Sequence, residues 1–136
     1  MVLIQYKETE ILDLNPEFFV SWLSRVCEEE GCKLGEIGIV FCSDEFILEA
    51  NKEYLDHDYY TDIITFDYRE EDVISGDLVV SVDRVKDNAG ELQVDWKEEL
   101  NRVVVHGILH IIGYKDKSNE EQELMRNKED FYLRFT

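Results

Sequence analysis

Residues 96–116 decide the fold of this chain and read WKEELNRVVVHGILHIIGYKD. Apolar residues recur in this stretch at the spacing of one helix face, which predicts a core-facing helix over Trp96–Ile112. Gly113 is suited to end that helix. His106 and His110 are four positions apart, so their imidazoles share one helix face and can reach the same metal ion.

A third metal ligand is predicted by the continuation of this segment. Gly113 can turn the chain back, which lets Asp116 return towards both histidines. Three protein ligands leave a fourth position open to water, as in catalytic zinc sites. The sequence therefore predicts one Zn²⁺ per chain, held by His106, His110 and Asp116. A histidine pair alone is also compatible with hydrogen-bonded core residues, so this prediction depends on the turn.

The flanking residues predict an α+β fold with a single domain over residues 1–136. Strands are expected over residues 2–6, 37–42, 63–68 and 78–82, where β-branched and aromatic residues are concentrated. Helices are expected over residues 16–30, 43–54, 83–88 and 96–112 and from residue 119 onward. The expected domain has a roughly four-stranded mixed sheet and about five helices, with the metal-bearing helix near the C-terminus.

Three details of this interpretation can be tested by the structure. The polar stretch with Ser75-Gly76 suits an antiparallel connection between the last two strands. Gly90 is expected to stop the short helix that precedes residue 96. The last helix begins with a capping-box pattern and should present Leu124, Lys128, Phe131, Tyr132 and Phe135 along one side.

Composition narrows the class of protein. Hydrophobic residues make up 44% of the chain, enough apolar material for one core. The three cysteines, Cys27, Cys32 and Cys42, are an odd number without CxxC spacing, which predicts reduced thiols. We expect no membrane association and a cytoplasmic location, because no apolar run approaches the ~18 residues of a membrane span and no signal-peptide pattern is present.

The pattern H-G-x-L-H-x-x-G-Y at residues 106–114 resembles the YbeY family of zinc-dependent endoribonucleases, which act in ribosomal RNA maturation. Residues 48–54, Asp58, residues 61–66 and residues 75–81 resemble further segments of that family, in the same order. The resemblance implies a metal-dependent, single-strand-specific endoribonuclease that hydrolyses RNA with a zinc-activated water and contributes to ribosome quality control. The implied partners are ribosomal RNA, the small ribosomal subunit or its precursors, and a ribosomal protein or assembly factor.

Two positions depart from the family pattern. Asp116 stands where the family usually has a third histidine, which keeps a ligand but bears on metal preference. Leu55 stands where the family usually has an arginine after the tyrosine, here Tyr54. This second change removes a cationic group that the resemblance places at the site.

Further site residues follow from helical phase and from the resemblance. Glu99 and Arg102 lie within two turns of His106 on nearly the same side. They are therefore candidates for a base or ligand-orienting partner and for a phosphate contact, and the alternative for each is a solvated surface charge. By resemblance, Thr61, Asp62 and Asp77 are expected near the substrate cleft. His57 lies in a polar loop and is a weaker candidate for substrate contact.

The net charge of −18 fits poorly with a nucleic-acid substrate, since binding to RNA normally draws on basic surfaces. The acidic net charge and an RNA substrate are compatible if the Lys and Arg side chains are gathered around one cleft while Asp and Glu cover the rest of the surface. Two other functions stay open. A metallopeptidase is disfavoured because Gly107 occupies the position of the peptidase glutamate. A ribosome-assembly factor would use zinc only to stabilise the C-terminal turn.

Overall fold

A computed structural model of the chain describes residues 1–55 and 61–136, so His57 and Asp58 lie outside the described residues. The described residues form an α+β domain, as predicted. In chain order, its elements are β1 (Val2–Lys7), α1 (Pro16–Glu29), β2 (Lys33–Cys42), α2 (Asp44–Leu55), β3 (Ile63–Asp67), β4 (Val73–Ser81), α3 (Val82–Leu92), α4 (Trp96–Ile112) and α5 (Asn119–Leu133).

The four strands form one mixed sheet in the order β1-β2-β4-β3. β2 pairs in parallel with both β1 and β4, and β3 pairs antiparallel with β4. The mixed sheet and the antiparallel pairing of the last two strands are therefore as predicted. β1 and β3 form the two edges of the sheet, and β2 and β4 are the inner strands. The residues of β4 from Leu78 to Ser81 are buried.

The main core lies between the sheet and helices α1 and α4. Helix α4 contributes seven almost fully buried residues to this core: Leu100, Val103, Val104, Val105, Ile108, Leu109 and Ile111. A smaller cluster on the opposite face of the sheet is covered by α2 and contains Cys42, Ile47, Ala50, Ile64 and Val79. Cys27, Cys32 and Cys42 are all buried, and none of them is paired in a disulfide. Among the described residues, no helix combines the length and apolar character needed to cross a membrane.

Two glycines bring α4 unusually close to the sheet. A Cβ atom added to Gly107 would lie 2.7 Å from a methyl carbon of Leu78 and 2.8 Å from one of Ile63. A Cβ atom added to Gly76 would lie 2.8 Å from a methyl carbon of Ile111. Any larger residue at these positions would force the neighbouring methyl groups to move, so the two glycines favour the close approach of α4 to the sheet.

Two sequence-based expectations are wrong in detail. Ser75 and Gly76 lie inside β4 and not in the connection. At Gly76 an added Cβ would meet the backbone oxygen of Phe66 in β3 at 2.3 Å and a methyl carbon of Ile111 in α4 at 2.8 Å, so this glycine serves close packing and not a turn.

Gly90 does not stop α3, which continues to Leu92 and ends when Gln93 adopts a left-handed φ of 57°. The left-handed backbone of Gln93 ends the helix, and the N–H of the next residue, Val94, donates back to the carbonyl of Ala89 at 3.0 Å.

The buried residues of α5 coincide only in part with the side that the sequence singled out. Tyr132 of that side is buried, whereas Leu124 and Phe131 are 47% and 40% exposed, and the other buried residues are Met125 and Glu129. The sequence did not single out Glu129, because an apolar periodicity does not register a buried charged residue. The capping box between Ser118 and Glu121 is present as predicted.

Candidate metal centre

Helix α4 carries the two histidines at its C-terminal end. Their rings stand nearly perpendicular, with centroids 4.6 Å apart, and both remain partly exposed. Gly113 ends the helix with a φ of 130°, which side-chain-bearing residues rarely adopt, and its N–H bonds to the carbonyl of Leu109 at 3.0 Å. The chain therefore turns sharply soon after His110.

This turn brings Asp116 to both histidines. Its Oδ2 lies 3.4 Å from Nε2 of His106 and 3.3 Å from Nε2 of His110. The three donor atoms all lie within 4.8 Å of one another. Among residues 1–55 and 61–136, this is the group of side chains that lies closely enough together to hold a metal ion. The geometry thus brings together the three residues that the sequence proposed as ligands.

These distances fit a tetrahedral ion. Ligands at the ~2.0–2.1 Å bond lengths of zinc occupy corners of a tetrahedron whose edges are about 3.3 Å long. The two distances from Asp116 match that edge. Three imidazole and carboxylate donors arranged in this way leave the fourth corner to a non-protein ligand, so the residues fit a divalent metal with an open position.

Contacts behind the turn hold it in place. Tyr114 donates a hydrogen bond of 2.5 Å to Glu30, the residue that ends α1. Glu30 also accepts hydrogen bonds from Tyr132 and, at 3.1 Å, from Lys128 of α5. Burial by itself raises the pKa of Glu30, but these donors outweigh it and lower that pKa. In addition, Arg69 donates to the carbonyl of Ile112 at 2.6 Å, which satisfies an end group of α4.

Glu129 of α5 fixes the orientation of His106. Its Oε2 lies 2.7 Å from Nδ1 of His106, so Nδ1–H donates to the carboxylate and Nε2 is left to face Asp116. Burial lowers the pKa of His106, but the hydrogen bond and the charge of Glu129 more than compensate and raise it. A carboxylate behind a metal-binding imidazole sets its tautomer and increases its basicity as a ligand.

Arg102 and Glu99 form a second layer behind Glu129. Arg102 contacts Glu129 at 3.2 Å, Asp130 at 2.8 Å and Glu99 at 3.6 Å. The guanidinium of Arg102 is thus engaged by three carboxylates. Glu99 is only 4% exposed, and burial raises its pKa, while Arg102 acts against that rise. Neither residue is a solvated surface charge.

The residues expected near the cleft are divided between two faces of the sheet. Asp62 lines a cavity of about 290 Å³ together with Glu99 and His106, and burial raises its pKa. Thr61 lies next to it, with its hydroxyl donating to the carbonyl of Ile63. Asp77 instead lies beside Gly38, on the face of β4 that points away from α4. The structure therefore brings Asp62, but not Asp77, to the candidate metal centre.

Position 107 decides against a peptidase-like arrangement. In metallopeptidases with a similar helix, a glutamate after the first histidine acts on the metal-bound water. Here that position faces Leu78 and Ile63 in the core, with no space for a side chain. A glutamate at this position would point into the sheet and not towards the cluster.

Comparison with known proteins identifies the family. A family model described as Endoribonuclease YbeY matches residues 4–136. This chain belongs to the YbeY family. A relative from Flavobacterium johnsoniae named Endoribonuclease YbeY is 54% identical over 123 residues, covering 90% of this chain and 88% of the relative. One from Bacteroides thetaiotaomicron with the same name is 45% identical, covering 95% and 94%.

A solved structure supports the same fold. The solution structure of TM1509 from Thermotoga maritima superposes with a TM-score of 0.68 and 28% sequence identity, covering 96% of this chain and 87% of that one. The resemblance to the YbeY family is thus confirmed over nearly the whole chain, beyond the motif at residues 106–114.

Sequence reasoning missed four residues around this YbeY-family centre. Glu129 and Arg126 are on α5, Arg69 is in the connection before β4, and Glu30 ends α1. Each reaches the site only through the packing of separate elements. An acidic residue within an otherwise regular amphipathic helix carries no spacing signal that would mark Glu129 as the partner of His106.

Proposed function

We propose that this chain is a zinc-dependent endoribonuclease that cleaves single-stranded RNA and acts in ribosomal RNA maturation and ribosome quality control in the cytoplasm. Membership of the YbeY family and the name shared by its relatives support RNA as the substrate. The observation that carries the proposal is the grouping of one donor atom each from His106, His110 and Asp116 within 4.8 Å of one another at a partly exposed site, with Asp116 3.3–3.4 Å from both histidines. Ribosomal RNA, alone or within the small subunit or its precursors, is the proposed partner, with a ribosomal protein or assembly factor.

The three donor residues would hold one metal ion per chain. Two imidazole nitrogens and one carboxylate oxygen form a harder donor set than three imidazoles, so manganese or iron should be tolerated beside zinc. When bound, the ion would act as a Lewis acid that lowers the pKa of a coordinated water and polarises a phosphoryl oxygen. The carboxylate of Asp116 offsets part of the ionic charge, so this acidification should be weaker than with a third histidine.

The surrounding residues orient the ligands. Glu129 keeps Nε2 of His106 directed at the cluster, and Arg102 holds Glu129 by an ion pair. Glu99 extends this network from α4. We therefore assign Arg102 and Glu99 as positioning residues, and Asp62, in the wall of the 290 Å³ cavity, as a residue on the substrate side.

Two observations favour this function over its alternatives. The core-facing position 107 leaves no place for the peptidase glutamate. A purely structural zinc site would be closed by a fourth protein ligand. In residues 1–55 and 61–136, only His106, His110 and Asp116 are grouped closely enough to share an ion.

The test combines metal analysis with cleavage assays. Protein stripped with a chelator and reloaded with zinc is offered labelled single-stranded RNA, the same RNA as a duplex, and an unstructured peptide. Wild type should cleave the single strand, whereas His110→Ala should lose both zinc and cleavage. Asn101→Ala, half-buried on the same helix, is the matched control and should behave as wild type.

Each failure has a distinct meaning. Stoichiometric zinc in both His106→Ala and His110→Ala would remove the metal assignment. Zinc binding without cleavage of any substrate would favour the assembly factor. Peptide cleavage that disappears in His110→Ala, with RNA left intact, would favour a peptidase.

A further inference from the structure

Two cavities open beside the donor atoms of the metal centre. The smaller, of about 290 Å³, is bounded by β3, α4 and α5, and the larger, of about 500 Å³, by α5 and the turn before it. Four residues line both cavities and so mark the place where they adjoin: His106, Asp116, Arg126 and Glu129. Arg126 is the cationic member of this set.

Arg126 differs from the other arginine at the site in its partners. Arg102 is held by three carboxylates and is only 18% exposed. Arg126 is exposed, and its guanidinium forms no ion pair or hydrogen bond with any residue of the described ranges. The acidic residues one turn further along α5, Glu129 and Asp130, are both already paired with Arg102. The guanidinium of Arg126 is thus free to bind a ligand.

The charges around Arg126 indicate what that ligand is. Carboxylates of Asp62, Glu99, Asp116 and Glu129 line the smaller cavity, and the whole chain carries a net charge of −18. An anionic strand is repelled by most of this surface. The unpaired guanidinium of Arg126 can attract a phosphate beside the proposed ion, and its planar donors suit phosphate oxygens in a bidentate contact.

We propose that Arg126 binds a backbone phosphate of the RNA strand at the mouth of the metal centre, between the two cavities. The inference rests on the proposed function, which it deepens by naming a substrate-binding residue. The phosphate contact expected of Arg102 is thereby assigned to Arg126. Such a contact positions the strand without reading its sequence.

Direct binding measurements test this inference. Zinc-loaded protein is titrated with two short single-stranded 2′-O-methyl RNAs of different sequence, at several salt concentrations, and the strands are checked for integrity afterwards. Arg126→Gln should weaken binding on the order of tenfold, the effect of one charge-assisted hydrogen bond. The slope of log K against log salt should fall by about 0.7, because the variant neutralises one phosphate fewer on a single strand. The affinity of Arg126→Lys for RNA should lie between those of wild type and Arg126→Gln.

Arg134→Gln is the matched control. Arg134 is also exposed, directly follows the last residue of α5, and lines neither cavity. Both variants change the net charge equally, so a difference between them reports position. Arg126→Gln should keep its zinc and lose equal affinity for both sequences.

Three outcomes would overturn the inference. Equal affinities and salt slopes for Arg126→Gln and Arg134→Gln, while wild type still cleaves RNA, would overturn it alone. A loss confined to one sequence, with an unchanged salt slope, would show contact with a base and not a phosphate. Wild-type protein that neither binds nor cleaves RNA would overturn the proposed function as well.

Discussion

Replacement of Glu129 by glutamine should weaken zinc binding without removing a metal ligand. Both carboxylate oxygens are engaged, one by His106 at 2.7 Å and the other by Arg102 at 3.2 Å. Loss of such an outer partner lowers metal affinity about 10- to 100-fold, or about 1.4–2.7 kcal/mol. Glu129 is only 5% exposed, so little water can replace the carboxylate, and the loss should lie towards the upper limit.

The assay is a zinc titration against a competing chelator, with Asp130→Asn as the matched control. Asp130 is the neighbouring carboxylate on α5 and pairs with the same Arg102, but it is 54% exposed and has no contact with His106. Asp130→Asn should therefore change zinc affinity by less than about twofold. Equal zinc affinities for Glu129→Gln and Asp130→Asn would refute the assignment of Glu129 as the residue that orients His106.

Three further predictions concern the ligand set, the helix contact and the turn. Asp116→His should keep one zinc and favour it more strongly over manganese, whereas Asp116→Ala should weaken zinc binding; an unchanged affinity against a chelator would exclude Asp116 as a ligand. Gly107→Ala should lower the free energy of unfolding by about 1–3 kcal/mol, because its Cβ would lie 2.7 Å from Leu78. The control is Gly90→Ala, which has no neighbouring atom within 4 Å and should raise the free energy of unfolding by about 0.5–1 kcal/mol. Urea unfolding that gives the same change for Gly107→Ala and Gly90→Ala would contradict the prediction. Glu30→Gln should cost about 1–3 kcal/mol at pH 7, because hydrogen bonds lower the folded-state pKa of Glu30 despite its burial. That stabilisation is present above the ordinary pKa of 4.5 and is lost as the pH falls through the lower folded-state value, so the difference in unfolding free energy from wild type should shrink in acid and not in alkali.

Local chemistry allowed the sequence to predict most elements and the metal cluster. Helix α4 has its predicted bounds, because the period of its apolar residues and the glycine that ends it act within one segment. His106, His110 and Asp116 were found for the same reason, since one helix turn and one glycine turn bring them together. The family motif lies within this same short stretch.

Tertiary packing decided what surrounds that cluster. Glu129 reaches His106 because α5 packs on α4, and no local pattern measures the distance between two helices. The connection expected at Ser75-Gly76 is wrong because Gly76 lies inside β4, where it packs closely against the backbone of Phe66 and the side chain of Ile111 from other elements. Whether an arginine is paired or free depends on carboxylates from several elements, so only the folded chain distinguishes Arg102 from Arg126. The sequence by itself thus predicted the candidate ligands that the fold brings together, whereas the orientation of His106 and the unpaired guanidinium of Arg126 follow from contacts between distant segments.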